Sequence, residues 1–486
     1  MVSVKKISSF IALLAASIPT SAFSWDVSQL NALANEFNEG ISNSFKVTEY
    51  PFLFMNTDAC FKPNKTCAYT NPDSPYAFPQ SPYVGIATQM AKTDAQVLIM
   101  ETPPPASYFA ITPYLFKRYY EFGVPPASGV PVTVQIFESL ADSINMATIK
   151  TTGSDTPGVN TNTQLSVFVM TADANTYRII RDQFVEVSGF PENSINQVVM
   201  PVSAAPLIMG NSPDKDKDTF MMMLRTAYPV HQSTLDDYIV RAPFHFMKLS
   251  PLYPRDWSEL KLATPANKIP GSGESEAPDL ASARDELVEN LKNRYGTTYT
   301  IQEVEPHDVQ TRNYVCMTSG SSCYGDNPDA VYTHDVAKWR PTLQDKVLIV
   351  GIDHVATGKA TYINQAISDH EHQVGVAGAS DVLGVPDSLL QGSALKMARI
   401  TEPTDPRYAT YSKLYALTIG YNCTGEAVCL KIPVLQTNSD GSIKVVGIQK
   451  GDSIDITART YADPATLTRP STDEIIQHRV FKLTRK

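Results

Sequence analysis

The 486-residue sequence lacks the short motifs that mark two common classes of hydrolase. It contains neither a G-x-S-x-G nucleophile elbow nor an H-E-x-x-H zinc motif. Their absence argues against a serine hydrolase of the usual construction and against a common zinc peptidase. A binding protein and an enzyme of less familiar design both remain open.

Basic residues are also in short supply. The chain has 40 Lys and Arg against 50 Asp and Glu, which gives a formal net charge of −10 at pH 7. A negative surface repels the phosphate backbone of nucleic acids and the headgroups of anionic lipids. We therefore expect no nucleic-acid partner.

The most apolar segment lies at the N-terminus, where residues 1–24 have the pattern of a secretory signal peptide. Lys5 and Lys6 form a positive start, residues 7–18 form an apolar stretch, and residues 22–24 (A-F-S) form a small-x-small cleavage site. The apolar stretch is too short to span a bilayer. We predict a secreted or periplasmic protein that has no transmembrane segment once the signal is removed.

Cysteine is scarce, and its six copies fall into three close pairs. Short-range pairs in an exported chain are typical of structural disulfides. A thiolate metal site is the alternative, but spacings of C-x6-C and C-x5-C are wider than the knuckles of zinc sites. The predicted disulfides are Cys60 with Cys67, Cys316 with Cys323, and Cys423 with Cys429.

One motif occurs twice. The pattern C-x6-C-x3-N-P-D-x2-Y spans residues 60–76 and again residues 316–332, with every matching position 256 residues apart. Chance does not plausibly place five residue types twice at identical spacing. The sequence therefore predicts a tandem duplication.

The segments around the two copies also follow one order. An amphipathic helix is predicted over residues 26–43 and again from Asp279 to Gly296, because apolar residues recur there at spacings of three and four. Alternating residues 45–50 and 299–304 predict a strand after each helix. Buried strands are expected beyond each motif, at residues 97–100 with 106–108 and at residues 347–350 with 360–362.

We therefore predict an α+β, β-dominated fold, made of two copies of a strand-rich, sandwich-like domain with an N-terminal amphipathic helix in each. Residues 251–278 contain five prolines and a G-S-G-E-S run, a composition typical of a linker. The predicted bounds are 1–24 for the signal peptide, 25–255 for the first domain, 256–279 for the linker and 280–486 for the second domain.

The two copies diverge in one place. In the first, a strand at 165–170, a helix at 175–187 that ends at Gly189 and a strand at 197–202 predict a β-α-β unit. In the second, strands at 414–420 and 429–435 flank Cys423 and Cys429. That arrangement predicts a hairpin whose tip is closed by a disulfide.

Histidines are concentrated in the second repeat, where four of the eight lie between His334 and His372. Residues present in only one copy are better candidates for function than those that both copies share. On a strand, His370 and His372 would share a face, and with His354 they could bind a divalent metal through three nitrogens. The alternative is that residues 369–373 form a polar, exposed loop.

Three further residues are candidates for catalysis: Asp329, Asp353 and Lys359. Asp329 belongs to the shared N-P-D motif, which most simply forms a turn stabilised by Asn or Asp side chains. Lys359 follows Gly358 and could bind an anion or transfer a proton, although a surface lysine is the more ordinary interpretation.

Residues 71–76 (N-P-D-S-P-Y), 97–99 and 103–108 resemble a secreted bacterial family of unknown function. That family is marked by an N-x-D-T-x-Y motif followed by strands that end in P-x2-x-R-Y-type patterns. Ser74 stands where the family has Thr, and the Arg is missing. The resemblance covers this one segment of each repeat. It implies a β-rich, sandwich-like fold outside the cytoplasm and identifies no catalytic residues.

Two functions follow from these patterns. The favoured one is an exported binding or envelope-associated protein of unknown ligand, because fold alone assigns no chemistry and the nucleophile elbow is missing. The alternative is a metal-dependent or acid–base enzyme with its site in the second repeat.

Overall fold

The computed structural model describes residues 27–62, 65–80, 85–124, 129–188, 190–214, 216–253, 261–309, 314–386 and 388–486. The predicted signal peptide lies outside these residues. No helix among the described residues is long and apolar enough to cross a membrane. Strands outnumber helices, and the chain is a β-dominated α+β protein, as predicted.

The first half of the chain, up to residue 253, forms two sheets. Its outer sheet contains, in spatial order, Phe45–Tyr50, Phe244–Pro251, Ala95–Glu101, Leu165–Thr171 and Ile195–Val199. Its inner sheet contains Phe52–Phe54, Tyr76–Pro79, Thr219–Pro229, Ala106–Tyr120 and Val132–Ser139. The short strand Thr88–Gln89 pairs with Thr219–Pro229, and the short strand Ile144–Asn145 pairs with Ala106–Tyr120.

The second half, from residue 279, also forms an outer and an inner sheet. The outer sheet contains Tyr299–Val304, Arg479–Arg485, Lys346–Ile352, Leu414–Gly420 and Cys429–Lys431. The inner sheet contains His307–Asp308, Ala330–Trp339, Ile454–Tyr461, Tyr362–Asp369 and Val374–Val382, and Gln436–Thr437 pairs separately with Ile443–Val445.

The two halves share one strand order. In each outer sheet the first strand of the half pairs with its last strand, and only the final pair of the order is parallel. In each inner sheet all pairs on the main path are antiparallel. Tandem duplication, which remains our interpretation of the sequence repeat, predicts this agreement.

Each outer sheet is sandwiched between helices and an inner sheet. In the first half, Val97 and Ile99 pack on the helices, whereas Leu98 and Met100 pack on the inner sheet, because successive side chains of a strand point to opposite faces. The far face of the first inner sheet packs against the second half. The two halves therefore meet through their inner sheets, where the contact residues are Tyr108, Ala110, Ala227, Ala330, Tyr362, Val382 and Tyr461.

The predicted helices are present. The first spans Val27–Ile41, with Leu30, Phe37 and Ile41 buried along one stripe. The second spans Asp279–Tyr295, so Asp279 is its first residue and Pro278 is its cap. The other helices are Ala174–Ser188, Gln232–Arg241, Val315–Ser319, Ser393–Ala398 and Tyr408–Tyr411, with 3-10 turns at Thr57–Phe61 and Glu192–Ser194.

The β-α-β unit of the first half is confirmed, since Leu165–Thr171 and Ile195–Val199 are parallel and flank the helix Ala174–Ser188. Gly189, its predicted end, lies outside the described residues. The predicted hairpin of the second half is wrong. Leu414–Gly420 and Cys429–Lys431 are parallel neighbours, because the disulfide loop between them brings the chain back beside Thr418 before it continues in the same direction.

All three predicted disulfides are present, at Cα–Cα distances of 5.6, 5.8 and 5.6 Å.

The described part of the segment predicted as a linker forms hydrogen bonds with both halves, which a free spacer would not do. Leu262 donates its backbone N–H to Ala172 of the first half, and Glu276 donates its own to Glu474 of the second. Residues 261–278 therefore lie against both halves, while the predicted domain bounds remain a prediction.

Candidate functional site

The two disulfide-bonded loops each belong to one half and bind the other. We call residues 60–76 the first loop and residues 316–332 the second loop. Equivalent positions of the two loops donate their backbone N–H groups across the interface, so the contacts are reciprocal, as in a two-fold symmetric dimer. The four donors and acceptors are Cys67 to His372 and Tyr69 to Gln373 for the first loop, and Cys323 to Ile136 and Gly325 to Phe137 for the second.

The asparagine of each motif binds a buried tyrosine of the opposite half. The Asn71 side-chain amide donates to the Tyr362 hydroxyl at 3.0 Å. The Asn327 amide donates to the Tyr108 hydroxyl, also at 3.0 Å. All four side chains are at least 97% buried. The hydrogen bonds across the interface therefore replace the bonds to water that these polar groups lose on burial.

The aspartate of each motif accepts from the same tyrosine. Asp73 Oδ2 accepts from the Tyr362 hydroxyl at 3.1 Å, from Asn364 at 2.7 Å and from Ser380 at 2.6 Å. Asp329 Oδ2 accepts from Tyr108 and from Asn145, both at 2.9 Å. Burial raises the pKa of Asp329, against the opposing effects of Lys268 and these hydrogen bonds.

The predicted turn is also present in both loops. Asn71 Oδ1 accepts from the Asp73 backbone N–H, and Asn327 Oδ1 accepts from that of Asp329, each at 3.1 Å. Each motif is therefore both a turn and a contact between the halves. The sequence pattern indicated only the first of these roles.

Two arginines make equivalent contacts across the interface, each with the loop of the opposite half. Arg225 Nη2 donates to the Gly325 carbonyl of the second loop at 2.8 Å, and Arg459 Nη2 donates to the Tyr69 carbonyl of the first loop at 2.9 Å. Gly325 and Tyr69 are themselves equivalent, being 256 residues apart. Each guanidinium also lies over the ring of its cross-strand partner, which is Tyr76 for Arg225 at 5.3 Å and Tyr332 for Arg459 at 5.9 Å.

Neither arginine has a carboxylate partner among the described residues. Arg225 is 3% exposed and Arg459 4% exposed. The Nε and Nη1 atoms of Arg225 are buried without any hydrogen-bond acceptor, and Arg459 Nη1 donates to the neutral side chain of Asn364 at 3.2 Å. Because a guanidinium keeps its charge at all accessible pH values, two positive charges without a carboxylate partner among the described residues lie inside this interface.

Both arginines line a cavity of about 630 Å³ between the halves, which we call the interface pocket. Its wall includes residues of the first loop, of both inner sheets and of the second loop. Side chains of Phe54, Phe78, Phe116, Phe137 and Met223 provide an apolar surface. Lys65 and Lys117 add two more basic residues, and the described lining contains no Asp or Glu at all.

This absence is informative because the chain as a whole has ten more acidic than basic residues. An apolar cavity with convergent cationic groups can bind an organic anion by charge-assisted hydrogen bonds at one end and apolar contact at the other. Among the described lining residues there is no nucleophile–base pair of the kind that indicates covalent chemistry.

Sequence patterns alone did not indicate Arg225 or Arg459 as functional residues. A usable signal was present: both arginines are followed by threonine, in L-R-T-A-Y and A-R-T-Y. The two positions are 234 residues apart rather than 256, because the chain between motif and arginine differs in length between the halves. A search at one fixed offset therefore misses them.

Among the described residues, no cluster of ligand-type atoms within 4.8 Å contains two of the three candidate metal-binding histidines, and each histidine pairs with a different carboxylate. His354 Nδ1 contacts Glu276 at 2.8 Å, His370 Nδ1 contacts Asp455 at 2.6 Å, and His372 Nδ1 contacts Asp369 at 3.0 Å. The premise that His370 and His372 lie on a strand is wrong. They occupy the turn between Tyr362–Asp369 and Val374–Val382, where alternation of faces does not apply.

One of these histidines does lie in a cluster of ligand-type atoms. His372, Asp369 and Asp452 place such atoms within 4.8 Å of one another, whereas the described part of the chain contains no group of this kind that includes His354 or His370. His370 and His372 have another role. Their turn accepts the backbone hydrogen bonds of the first loop, and His370 Nδ1 lies 3.2 Å from the Tyr69 hydroxyl.

Of the candidate catalytic residues, Asp353 is buried beside Asp381. Burial and the hydrogen bond with Asp381 raise the pKa of Asp353 to about 8, since two facing carboxyl groups bond only through a shared proton. Lys359 Nζ contacts Ser272 at 2.7 Å and Glu474 at 3.3 Å. Neither residue lines the interface pocket.

Comparison with known proteins assigns no family. No protein-family model and no curated protein matches the chain. The solved structures that are distantly similar include two bacterial proteins. An uncharacterized protein from Burkholderia cenocepacia has a TM-score of 0.38 at 10% identity, covering 94% of this chain and 87% of its own. A Vibrio parahaemolyticus protein has a TM-score of 0.34 at 11% identity, covering 96% and 98%. At TM-scores below 0.5, neither assigns a function here.

Proposed function

We propose that the protein binds an organic anion with an apolar body in the interface pocket, as an exported binding protein. The observation that supports this most directly is the pair Arg225 and Arg459, two buried guanidinium groups without a carboxylate partner in a cavity whose described lining has no acid. The three disulfides suit a non-reducing compartment.

The buried positive charges of Arg225 and Arg459 are a reason to expect an anion in the pocket. Moving an ion from water into a protein interior costs several kcal/mol even after relaxation, unless an opposite charge compensates it. Carbonyl groups of Gly325 and Tyr69 and the tyrosine rings compensate only in part. A carboxylate, sulfate or phosphate that reached the arginines would remove the remaining cost. The anion would also suit the planar donor geometry of arginine.

The size and surface of the cavity favour an apolar body on that anion. Ligand pockets usually measure roughly 300–1,000 Å³ and are mostly apolar with a few polar groups that fix orientation. The interface pocket falls within this range, and its phenylalanine and methionine side chains supply the apolar part. A small inorganic anion would leave most of this surface in contact with water.

Calorimetric titration with decanoate, decyl phosphate and decanol tests the proposal. We expect the two anions to bind in a saturable manner, and decanol to bind at least about tenfold more weakly, a difference of about 1.4 kcal/mol. Arg459→Met should remove the preference for the anions. Arg178→Met is the matched control, because Arg178 is exposed on the helix Ala174–Ser188.

Equal binding of decanol and decanoate, or an unchanged preference in Arg459→Met, would contradict the proposal. The alternative of an enzyme centred on His354, His370 and His372 is not proposed, since each of these side chains is paired with its own carboxylate.

A further inference from the structure

The two N-P-D loops are equivalent in their hydrogen bonds but not in their surroundings. In the second loop, the ammonium of Lys268 lies 3.8 Å from Asp329 Oδ1. In the first loop, Asp73 lines an open groove of about 600 Å³, which we call the Asp73 groove. Among the described lining residues of that groove, Asp73 is the sole charged side chain.

Strand register shows that the Asp73 groove and the surroundings of Lys268 are counterparts. Tyr114 pairs with Ser139 in the first inner sheet, and Ser368 pairs with Gly375 in the second. Tyr114 and Ser368 are 254 residues apart, the same offset as Tyr108 and Tyr362. Ser139 of the first half therefore corresponds to Gly375 of the second, and Leu140 to Val376.

These positions flank the two prolines of the motif. Gly375 and Val376 line the Asp73 groove together with Pro72. Ser139 and Leu140 line the corresponding place together with Pro328, where the remaining cavity measures only about 40 Å³ and Asn267 forms part of its wall. The segment around Lys268 therefore fills in one half a space that stays open in the other.

The chain that fills this space has no regular secondary structure and is held mainly by polar contacts. The Lys268 backbone N–H donates to the Asp142 carboxylate, and its ammonium donates to the Ser143 carbonyl at 3.3 Å. The carbonyl of Ile269 accepts from the Thr468 hydroxyl at 3.1 Å. Residues 262–270 form no helix and no strand. The protein thus contains one example of how a lysine-bearing segment without helix or strand docks beside an N-P-D loop.

We propose that the Asp73 groove binds an extended peptide segment of another protein, with a lysine ammonium of that segment directed at Asp73 as Lys268 is directed at Asp329. The groove suits such an occupant because uncharged side chains, both polar and apolar, surround one carboxylate. Its apolar lining includes Leu235, Ile239, Val376 and Pro229. The inference is separate from anion binding, although the groove and the interface pocket share Met55, Thr70 and Tyr76 as wall residues.

The chain's own sequence supplies the probe. A capped peptide T-P-A-N-K-I-P, which copies residues 264–270, would be titrated into the full-length protein, beside a peptide with norleucine in place of lysine. We expect saturable binding of the lysine peptide and about tenfold weaker binding of the norleucine peptide. Asp73→Asn should weaken the lysine peptide by a similar factor and leave the norleucine peptide unchanged, as a double-mutant cycle requires for a direct pair.

Two further variants keep the test decisive. Asp58→Asn removes an exposed carboxylate outside the groove and should change nothing. Gln232→Trp places bulk at an exposed helix position that lines the groove, so it should weaken both peptides without disturbing the core. The proposal is overturned if neither peptide binds, if the two bind equally, or if butylammonium alone binds as tightly as the lysine peptide. None of these results bears on decanoate binding.

Discussion

The Asn71 amide donates to the Tyr362 hydroxyl across the interface at 3.0 Å, although 291 positions separate the two residues in the chain. Asn327 and Tyr108 repeat this bond in the opposite direction at the same distance. The residues that both repeats share therefore serve to join the halves. A buried amide or hydroxyl without a hydrogen-bond partner destabilises the folded protein. Each half therefore has a structural reason to keep its own copy of this asparagine–tyrosine bond.

We predict that Tyr362→Phe destabilises the folded protein by about 1–3 kcal/mol, because it leaves the buried Asn71 amide without its acceptor. Tyr108→Phe should cost a similar amount. Equilibrium denaturation in urea measures both. The two changes should be coupled rather than additive, since the rings of Tyr108 and Tyr362 each contact Tyr461, at 5.1 and 4.9 Å.

Tyr253→Phe is the matched control, as Tyr253 is 78% exposed. A loss of stability in this control equal to that in Tyr362→Phe would show that the hydroxyl contact across the interface does not matter.

Much of the fold followed from sequence periodicity. Leu30, Phe37 and Ile41 lie on one helical stripe, and the structure buries that stripe. The direction of a strand pair is not encoded in this way, because a period of two is the same for parallel and antiparallel neighbours. The segment that contains Cys423 and Cys429 was therefore assigned to a hairpin, whereas its flanking strands are parallel.

The candidate site was harder to predict, because it is built from residues that are equivalent rather than unique. Sequence patterns favour His354, His370 and His372, because only one repeat contains them. Arg225 and Arg459 are instead related by the repeat, and they line one pocket only because the halves meet through their inner sheets. Docking of the two halves cannot be inferred from the periodicity of either half.

The disulfide of the first loop should support ligand binding, whereas that of Cys423 and Cys429 should not. Lys65, Thr66 and Cys67 of the first loop line the interface pocket, and neither Cys423 nor Cys429 does. We expect the double change Cys60→Ser with Cys67→Ser to weaken decanoate binding several-fold. Each lost disulfide should also cost about 2–3 kcal/mol of stability in the chain-entropy model.

The double change Cys423→Ser with Cys429→Ser is the control for stability alone. Calorimetry with decanoate and urea denaturation together separate the two effects. Equal decanoate affinity in the two double variants would rule out a role of the first loop in the pocket.

Stability should fall as pH rises from about 4 to about 8, in part because of Asp353. Its pKa is about 8 in the folded protein, raised first by burial and then by Asp381, against about 3.9 in the unfolded chain. The folded state therefore binds more protons over this interval, and the free energy of unfolding decreases with pH until both states are deprotonated.

Asp353→Asn imitates the protonated carboxyl and should reduce this fall by at least about 1 kcal/mol between pH 5 and pH 8. Urea denaturation at the two pH values measures the change. Asp214→Asn, at an exposed position, is the control and should leave the pH dependence as it is. A fall of unchanged size in Asp353→Asn would show that another group causes it.

The last prediction concerns His370, which contacts both Asp455 at 2.6 Å and the Tyr69 hydroxyl at 3.2 Å. Tyr69 lines the interface pocket, and its carbonyl accepts from Arg459. His370→Ala should therefore loosen the wall beside Arg459 and weaken decanoate binding by about threefold to tenfold, which corresponds to about 0.6–1.4 kcal/mol.

His334→Ala provides the matched comparison, because His334 contacts the same Asp455 at 3.3 Å but, unlike His370, has no described hydrogen bond to Tyr69. Calorimetry with decanoate on both variants decides the matter. If both histidine changes weaken decanoate equally, the effect arises from Asp455 losing a partner. If only His370→Ala weakens it, the contact with Tyr69 connects the turn of the second half to the pocket, and the histidine acts by positioning that wall rather than by binding a metal.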